Sequence, residues 1–434
     1  MGKRRRHVKN KLRLGKRGLS KTLTLAIVAI VIIAIIGGVL LIQQKPVETT
    51  TTTQQSQTTV KEEKIIRIGG LFDLTGPTSD VGVPYSWGVR DYIALVNAKG
   101  GVEGYKLELI YYDYGYKIPQ AESLYKRLVE VDGVVAIIGW GTGDTLALMD
   151  DIARDKIPYI SASYAAKLTN PKIAPYNFIT NPDYSTQLRA ALKWVKENWK
   201  QNRPPKICFM YPNVAYGTEP IPAGKEYAKE LGFEIGPDEN LDLRATSAYE
   251  QIQRLMGYGA DYVWFGGTIS SYVVAAKNAK ELGATFKFIV NTWGWDESLV
   301  KLAGKAAEGH IYVTGTLPYE YAVKVDPELK EAREMFKHDP KVYNIHYVKG
   351  WINAKVLVKA IENVLKKGEK VTGENIKKEL ESWRNVDFGV VAPISYYPDD
   401  HRPSMKVFIF TIKDGEFVKL GEVELERRAK WLGK

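Results

Sequence analysis

Apolar positions along this chain follow two rhythms. From Ile65 onward, short runs rich in β-branched and aromatic residues alternate with stretches in which apolar residues recur three and four positions apart. The runs IIRIGGL (65–71), KLELIYYD (106–113), VVAIIG (134–139), PYISAS (158–163), KICFMYP (206–212), YVWFGG (262–267), FKFIVN (286–291) and HIYVTGT (310–316) read as strands. The stretches 85–98, 121–131, 187–199 and 271–282 between them read as helices. Strands that are apolar without alternation belong to parallel sheets covered by helices on both faces. Eight such units exceed one comfortable sheet, and PDYSTQ (182–187) has the look of a boundary. The expectation is α/β with two doubly wound lobes of parallel sheet. After His310 the order changes to helices near 327–338, 346–366 and 373–383. Two strands then follow, 405–412 and 416–423, joined at Lys413–Asp414–Gly415, where the Asp-Gly pair predicts a hairpin turn.

A third pattern precedes these. Thr22 to Ile42 is an uncharged apolar run, and a helix of that length spans roughly 31 Å, about one hydrocarbon core. Before it, residues 1–21 hold ten lysines and arginines and no acid. The chain's net charge is +11, so the tail carries nearly all of it and leaves 51 basic against 50 acidic residues over 22–434. A nearly neutral body removes the main support for nucleic-acid binding. The same tail predicts an anchor at 22–42 with a cytoplasmic N-terminus and the body outside the cell. KRGLSK, just before the run, resembles the processing site of archaeal pilin-like signal sequences, with cleavage after Gly18; cleavage there keeps the apolar helix on the mature chain. Residues 43–64, rich in Thr and Gln, cannot bury enough surface to offset ordering and read as a stalk. A single cysteine, Cys208, excludes an intrachain disulfide and a lipoprotein anchor near the run.

Candidate chemistry centres on VVAIIGWGTGDTLALMDDIA, Val134 to Ala153: a strand, glycines at 139, 141 and 143, then a helical pattern. Such a junction presents backbone N–H groups and a positive helix pole to an anion. The nucleotide readings fail, because the glycine spacing is wrong, no acid follows in the window 160–168, and no P-loop lysine is present. The five histidines, at 7, 310, 338, 346 and 401, show no metal-ligand spacing, and no nucleophile elbow appears. Neither a metal, a cofactor nor a catalytic constellation is expected. Small, hydroxyl and aromatic residues instead crowd the strand ends, a pattern that fits ligand binding without chemistry.

In order along 65–425, IIRIGGLFDLTGP, VNAKGGVEGYKLELIYYD, VVAIIGWGTGDT, IPYISASYAAKLTN, YPNVAYGTE, YVWFGGT and AAEGHIYVTG resemble the periplasmic-type solute-binding proteins that serve branched-chain amino-acid transporters. The resemblance implies a type I periplasmic binding fold with three crossovers. Lobe I would cover 65–182 plus 316–388 and lobe II 183–315 plus 389–425. It implies capture of a small ligand (an amino acid, amide or aromatic-acid-like molecule) by a monomer, and delivery to the permease of an ABC importer. A membrane-tethered sensor of the same fold is the alternative, and an enzyme is not expected.

The resemblance also places a site. The loop that holds the ligand carboxylate in the relatives falls on Gly141–Thr145, with Gly143 where they carry a hydroxyl, followed by Asp144 and Thr145. Asp144 reads either as a ligand contact or as the N-cap of a helix over 145–154. Further contacts fall on Ser163 and Ala165, with Tyr164 between. In the second lobe Tyr216 would close over the ligand, and Thr268 follows Gly266–Gly267. The acid that grips the α-amino group in the relatives maps near Thr292, where no acid stands. Trp293 and Trp295 dominate that loop, one for the pocket and one for packing. The losses weaken an α-amino-acid assignment, and the aromatic residues suit a planar, less polar or amide-like ligand.

Overall fold

A computed structural model describes residues 64–434. The expected tail (1–21), span (22–42) and stalk (43–64) lie outside the described residues, Lys64 excepted. Among the described residues, no helix is long and apolar enough to cross a membrane.

Two sheets organise the chain. The first holds β1 (Ile65–Phe72), β2 (Lys106–Asp113), β3 (Ala136–Gly139), β4 (Tyr159–Ser161) and β5 (Asn177–Phe178), all parallel, in the order β2-β1-β3-β4-β5. The second holds β6 (Lys206–Tyr211), β7 (Glu234–Asn240), β8 (Tyr262–Phe265), β9 (Lys287–Val290) and β10 (Ile311–Thr314), in the order β7-β6-β8-β9-β10. The two orders are the same doubly wound pattern, which reverses direction between its first and third strands and opens a crevice at the carboxyl ends there. β11 (Lys406–Lys413) and β12 (Glu416–Glu424) extend the second sheet by antiparallel pairing on β10. Their turn is Asp414–Gly415, both at positive φ, the two-residue geometry that an Asp-Gly pair favours.

Burial explains the strands. Ile137, Ile138, Cys208, Phe209, Val263, Phe288 and Ile289 are all sealed from solvent, as strands covered on both faces must be. Burial also pushes the Cys208 thiol up to about 12, so this cysteine packs rather than reacts. β7 was not legible in the sequence, because EIGPDEN is an exposed edge strand and carries Pro237, tolerated at an edge where no neighbour needs its N–H.

The helix Ser79–Ala98 begins six residues before the expected 85, running through Pro84 because Val81, Pro84 and Tyr85 are buried against the core. It crosses the helix Ile345–Lys366, which is mostly buried and capped by Asn344 through the N–H groups of His346 and Tyr347. At the crossing, a Cβ on Gly88 would overlap the Tyr347 carbonyl, and one on Gly350 the Tyr85 carbonyl. Two glycines therefore let the backbones touch.

Candidate functional site

The loops at the carboxyl ends of both sheets face one another. From the first sheet come Thr78 after β1, Tyr116 after β2, Trp140, Gly141 and Thr142 after β3, and Ala162 after β4. From the second come Tyr216 after β6, Thr268 after β8 and Trp293 after β9. Val81 and Tyr184, each near the start of a helix, complete the walls of a small chamber. Five aromatic rings and three threonine hydroxyls line it, and no lining residue is acidic or basic.

The rings are fixed by contacts across the cleft. Trp293 stands on the second sheet's loop, yet its ring stacks on Tyr164 at 5.6 Å and on His346 at 5.4 Å and meets Trp140 edge-on at 5.0 Å. Its indole N–H donates to the Tyr184 hydroxyl at 3.0 Å, and its backbone N–H to Asn291 Oδ1 at 2.8 Å. The Tyr216 hydroxyl donates to Asn291 Oδ1 at 2.6 Å, so one amide orients both residues. Trp140 donates its indole N–H to Thr78 Oγ1, and that hydroxyl donates to buried Asp73. Thr268 Oγ1 is buried at the wall without a hydrogen-bond partner.

Further contacts join the two halves around the chamber. Asp80, beside Val81, accepts both the N–H and the hydroxyl of Ser270. The Arg244 guanidinium donates to the carbonyls of Thr75 and Gly76. Glu219 accepts the Ala166 N–H at 2.5 Å while its other oxygen has no partner. Burial, reinforced by the charge of Asp183, pushes the Glu219 carboxyl up to about 8.

Behind Trp293 lies a second buried group. Lys349, wholly buried, donates to the Thr292 carbonyl and sits 4.2 Å from the Trp293 ring centroid. Burial drives its ammonium well below the usual lysine range, opposed by the charges of Glu297 and Asp296. Burial likewise holds His346 neutral; neither ring nitrogen makes a hydrogen bond, and Nε2 lies 3.7 Å from Asp296 Oδ2.

Of the residues singled out in sequence, Tyr216, Thr268 and Trp293 line the chamber. Trp295 is the packing tryptophan, sealed against Phe417, Tyr312 and Phe410 with its N–H on the Val313 carbonyl. Tyr164 supports Trp293 from behind. Ser163 donates to Thr142 Oγ1 at 2.8 Å, and Thr145 bonds back to the Gly141 carbonyl and meets Ser161. Ala165 packs away from the chamber against Met149, Leu168 and Ala174. Thr292 donates to Thr314 at 3.2 Å. A side chain on Gly143 would meet Ile118, not the chamber.

The reading of Asp144 as the cap of a helix over 145–154 is corrected. The helix runs Thr142–Asp155 with Gly141 as N-cap, and Asp144 stands inside its first turn. There it accepts the Tyr114 hydroxyl at 2.8 Å through Oδ1, while Oδ2 is buried and unpartnered. Burial pushes this carboxyl up to about 6, against hydrogen bonds from Tyr114 and the N–H groups of Asp144 and Gly141. The walls missed in sequence, Thr78, Tyr116, Trp140 and Tyr184, sit just past strand ends or at the first residue of a helix. Trp140 even stands between two of the quoted glycines. Among the described residues, no three His, Cys, Asp or Glu side chains gather as metal ligands.

Comparison with known proteins bears on this geometry. The family described as "Periplasmic binding protein" matches residues 65–416. The leucine-, isoleucine-, valine-, threonine- and alanine-binding protein of Pseudomonas aeruginosa is 25% identical over 351 residues, 80% of this chain and 89% of that one. The leucine-specific-binding protein of Salmonella typhimurium is 26% identical over 352 residues, 80% and 90% of the two chains. Among solved structures, an ABC transporter substrate-binding protein of Aeropyrum pernix is 34% identical, with a TM-score of 0.78 over 85% of this chain and 98% of that one. A branched-chain amino-acid ABC transporter protein of Thermus thermophilus with bound valine shares the fold, with a TM-score of 0.79, 22% identity, and coverage of 84% and 97%.

Proposed function

This chain belongs to the periplasmic binding protein family, of the type that serves branched-chain amino-acid transporters, and on that premise we propose that it captures a small ligand between its two lobes and delivers it to the permease of an ABC importer. Members of the family are solute-binding proteins, not enzymes. The observation that carries the reading is the chamber itself. Its walls come from the carboxyl ends of both sheets, so a molecule inside touches both lobes and closes them on itself. The lobes are 65–182 plus 316–388 and 183–315 plus 389–425. We propose that it acts as a monomer. The ring-lined walls suit the apolar part of an amino acid, an amide or an aromatic-acid-like ligand.

We place the body outside the cell, held by a membrane helix over 22–42 with its N-terminus in the cytoplasm. The basic tail and the uncharged run support that topology. Native mass spectrometry of the full chain purified in detergent tests the function. The expected result is one small molecule bound per chain. A chain that carries none, and whose melting temperature no amino acid, amide, aromatic acid or small organic cation raises, overturns the reading.

A further inference from the structure

The chamber's charge environment is lopsided. Its own surface is uncharged, but carboxylates stand directly behind it. Asp73 holds Thr78 through both its N–H and its hydroxyl. Asp80 neighbours Val81 and holds Ser270 across the cleft. Asp144 and the Tyr116 ring both come within 3 Å of where a Cβ on Gly141 would lie, and one Asp144 oxygen is buried and unpartnered. Lys349 is not part of the lining; it sits 4.2 Å from the Trp293 ring centroid and faces the charges of Glu297 and Asp296.

The aromatic lining adds to this field. Ring faces are negative, and a cation within about 6 Å of a Trp or Tyr centroid is attracted, the more so when water is excluded. Tyr116, Trp140, Tyr184 and Tyr216 line one space together with Trp293, whose own ring already stacks on Tyr164 and His346 and carries Lys349 over it. One feature would favour an anion instead, the positive pole of the helix Thr142–Asp155. Asp144 already answers that pole, standing in the first turn close to the Gly141 N–H. A ligand carboxylate there would meet a resident one.

Building on the binding-protein reading above, we infer that the chamber selects a small organic cation that carries no carboxylate, an ammonium compound seated among the lining rings. Charge and aromatic faces supply its recognition, and the unpartnered Thr268 hydroxyl supplies a hydrogen bond to a polar substituent.

Three compounds of one shape test this on the full chain in detergent by titration calorimetry. Choline has the cation alone, betaine adds a carboxylate, and 3,3-dimethyl-1-butanol removes the charge. Choline is expected to bind at least tenfold more tightly than either. Asp144→Asn is expected to weaken choline about tenfold, to leave the neutral alcohol unchanged, and to keep the unliganded melting temperature. The comparison among the three on the unaltered protein stands whether or not that variant folds. Betaine or the alcohol matching choline, or no measurable choline binding, overturns the inference. A chain that ignores choline yet carries a co-purified molecule keeps the binding-protein reading and loses only this assignment.

Discussion

The Nζ of Lys349 lies 4.2 Å from the centroid of the Trp293 ring and donates to the carbonyl of Thr292, the residue just before it. One buried side chain on the helix Ile345–Lys366 thus holds both the backbone and the ring of a loop from the other sheet. Lys349→Met keeps the bulk and removes the donor. A buried carbonyl left without its partner costs about 1–3 kcal/mol. We expect a loss of that size by denaturant unfolding, together with weaker ligand binding because Trp293 is no longer clamped. Unchanged binding would make Lys349 purely structural.

The two glycines of the loop after β3 differ. A Cβ on Gly141 would overlap Asp144 and the Tyr114 hydroxyl, whereas one on Gly143 meets only the end of Ile118. Gly143→Ala is expected to leave affinity unchanged and to shift stability by no more than about 1 kcal/mol, since alanine favours a helix by that amount. Gly141→Ala should lower both. Calorimetric titration of the two variants side by side checks this, and equal effects would mean that the chamber wall is misassigned.

Tyr216 has a ring at the wall and a hydroxyl on Asn291. Truncation to alanine removes both, so loss of binding and loss of stability come together. Tyr216→Phe separates them. Ligand affinity should hold within threefold while stability falls by about 1 kcal/mol for one lost hydrogen bond. A large affinity loss in the phenylalanine variant would move the hydroxyl itself into ligand contact.

Glu219 gives a pH signature. Its carboxyl is raised to about 8 by burial and then by Asp183, so the folded chain holds a proton that the unfolded chain releases near 4.5. The folded state binds more protons across that window, and stability therefore falls as pH rises from about 4.5 to 8. Each unit of displacement corresponds to about 1.4 kcal/mol. Glu219→Gln mimics the protonated form and keeps an acceptor for Ala166. It should melt like the parent at pH 5 and several degrees higher at pH 9. Parallel melting curves across that range would show that Glu219 does not titrate there.

Strand positions were legible because burial on both faces writes itself as an unbroken apolar run, as in AIIG and YVWF. The edge strand β7 was not, since an edge needs no such run. The chamber was half legible. Tyr216 and Trp293 follow motifs with a fixed place in the fold, whereas Tyr116 and Tyr184 reach the same space from segments far apart in sequence, and only the folded chain brings them together. Asp144 was misplaced by one helical turn, because the Thr145 hydroxyl on the Gly141 carbonyl lets the helix begin before its acid.

The Trp293 ring, carried by one sheet and gripped by Tyr164 and His346 on the other side, has a kinetic consequence. Nothing enclosed behind it leaves until that stack parts. A bound molecule that touches both halves must give up contacts on one of them before they part, so tighter-held compounds should leave more slowly while capture rates stay similar. Anything that pries the halves apart from outside, as a transporter must, would empty the chamber without competing for a single contact inside it.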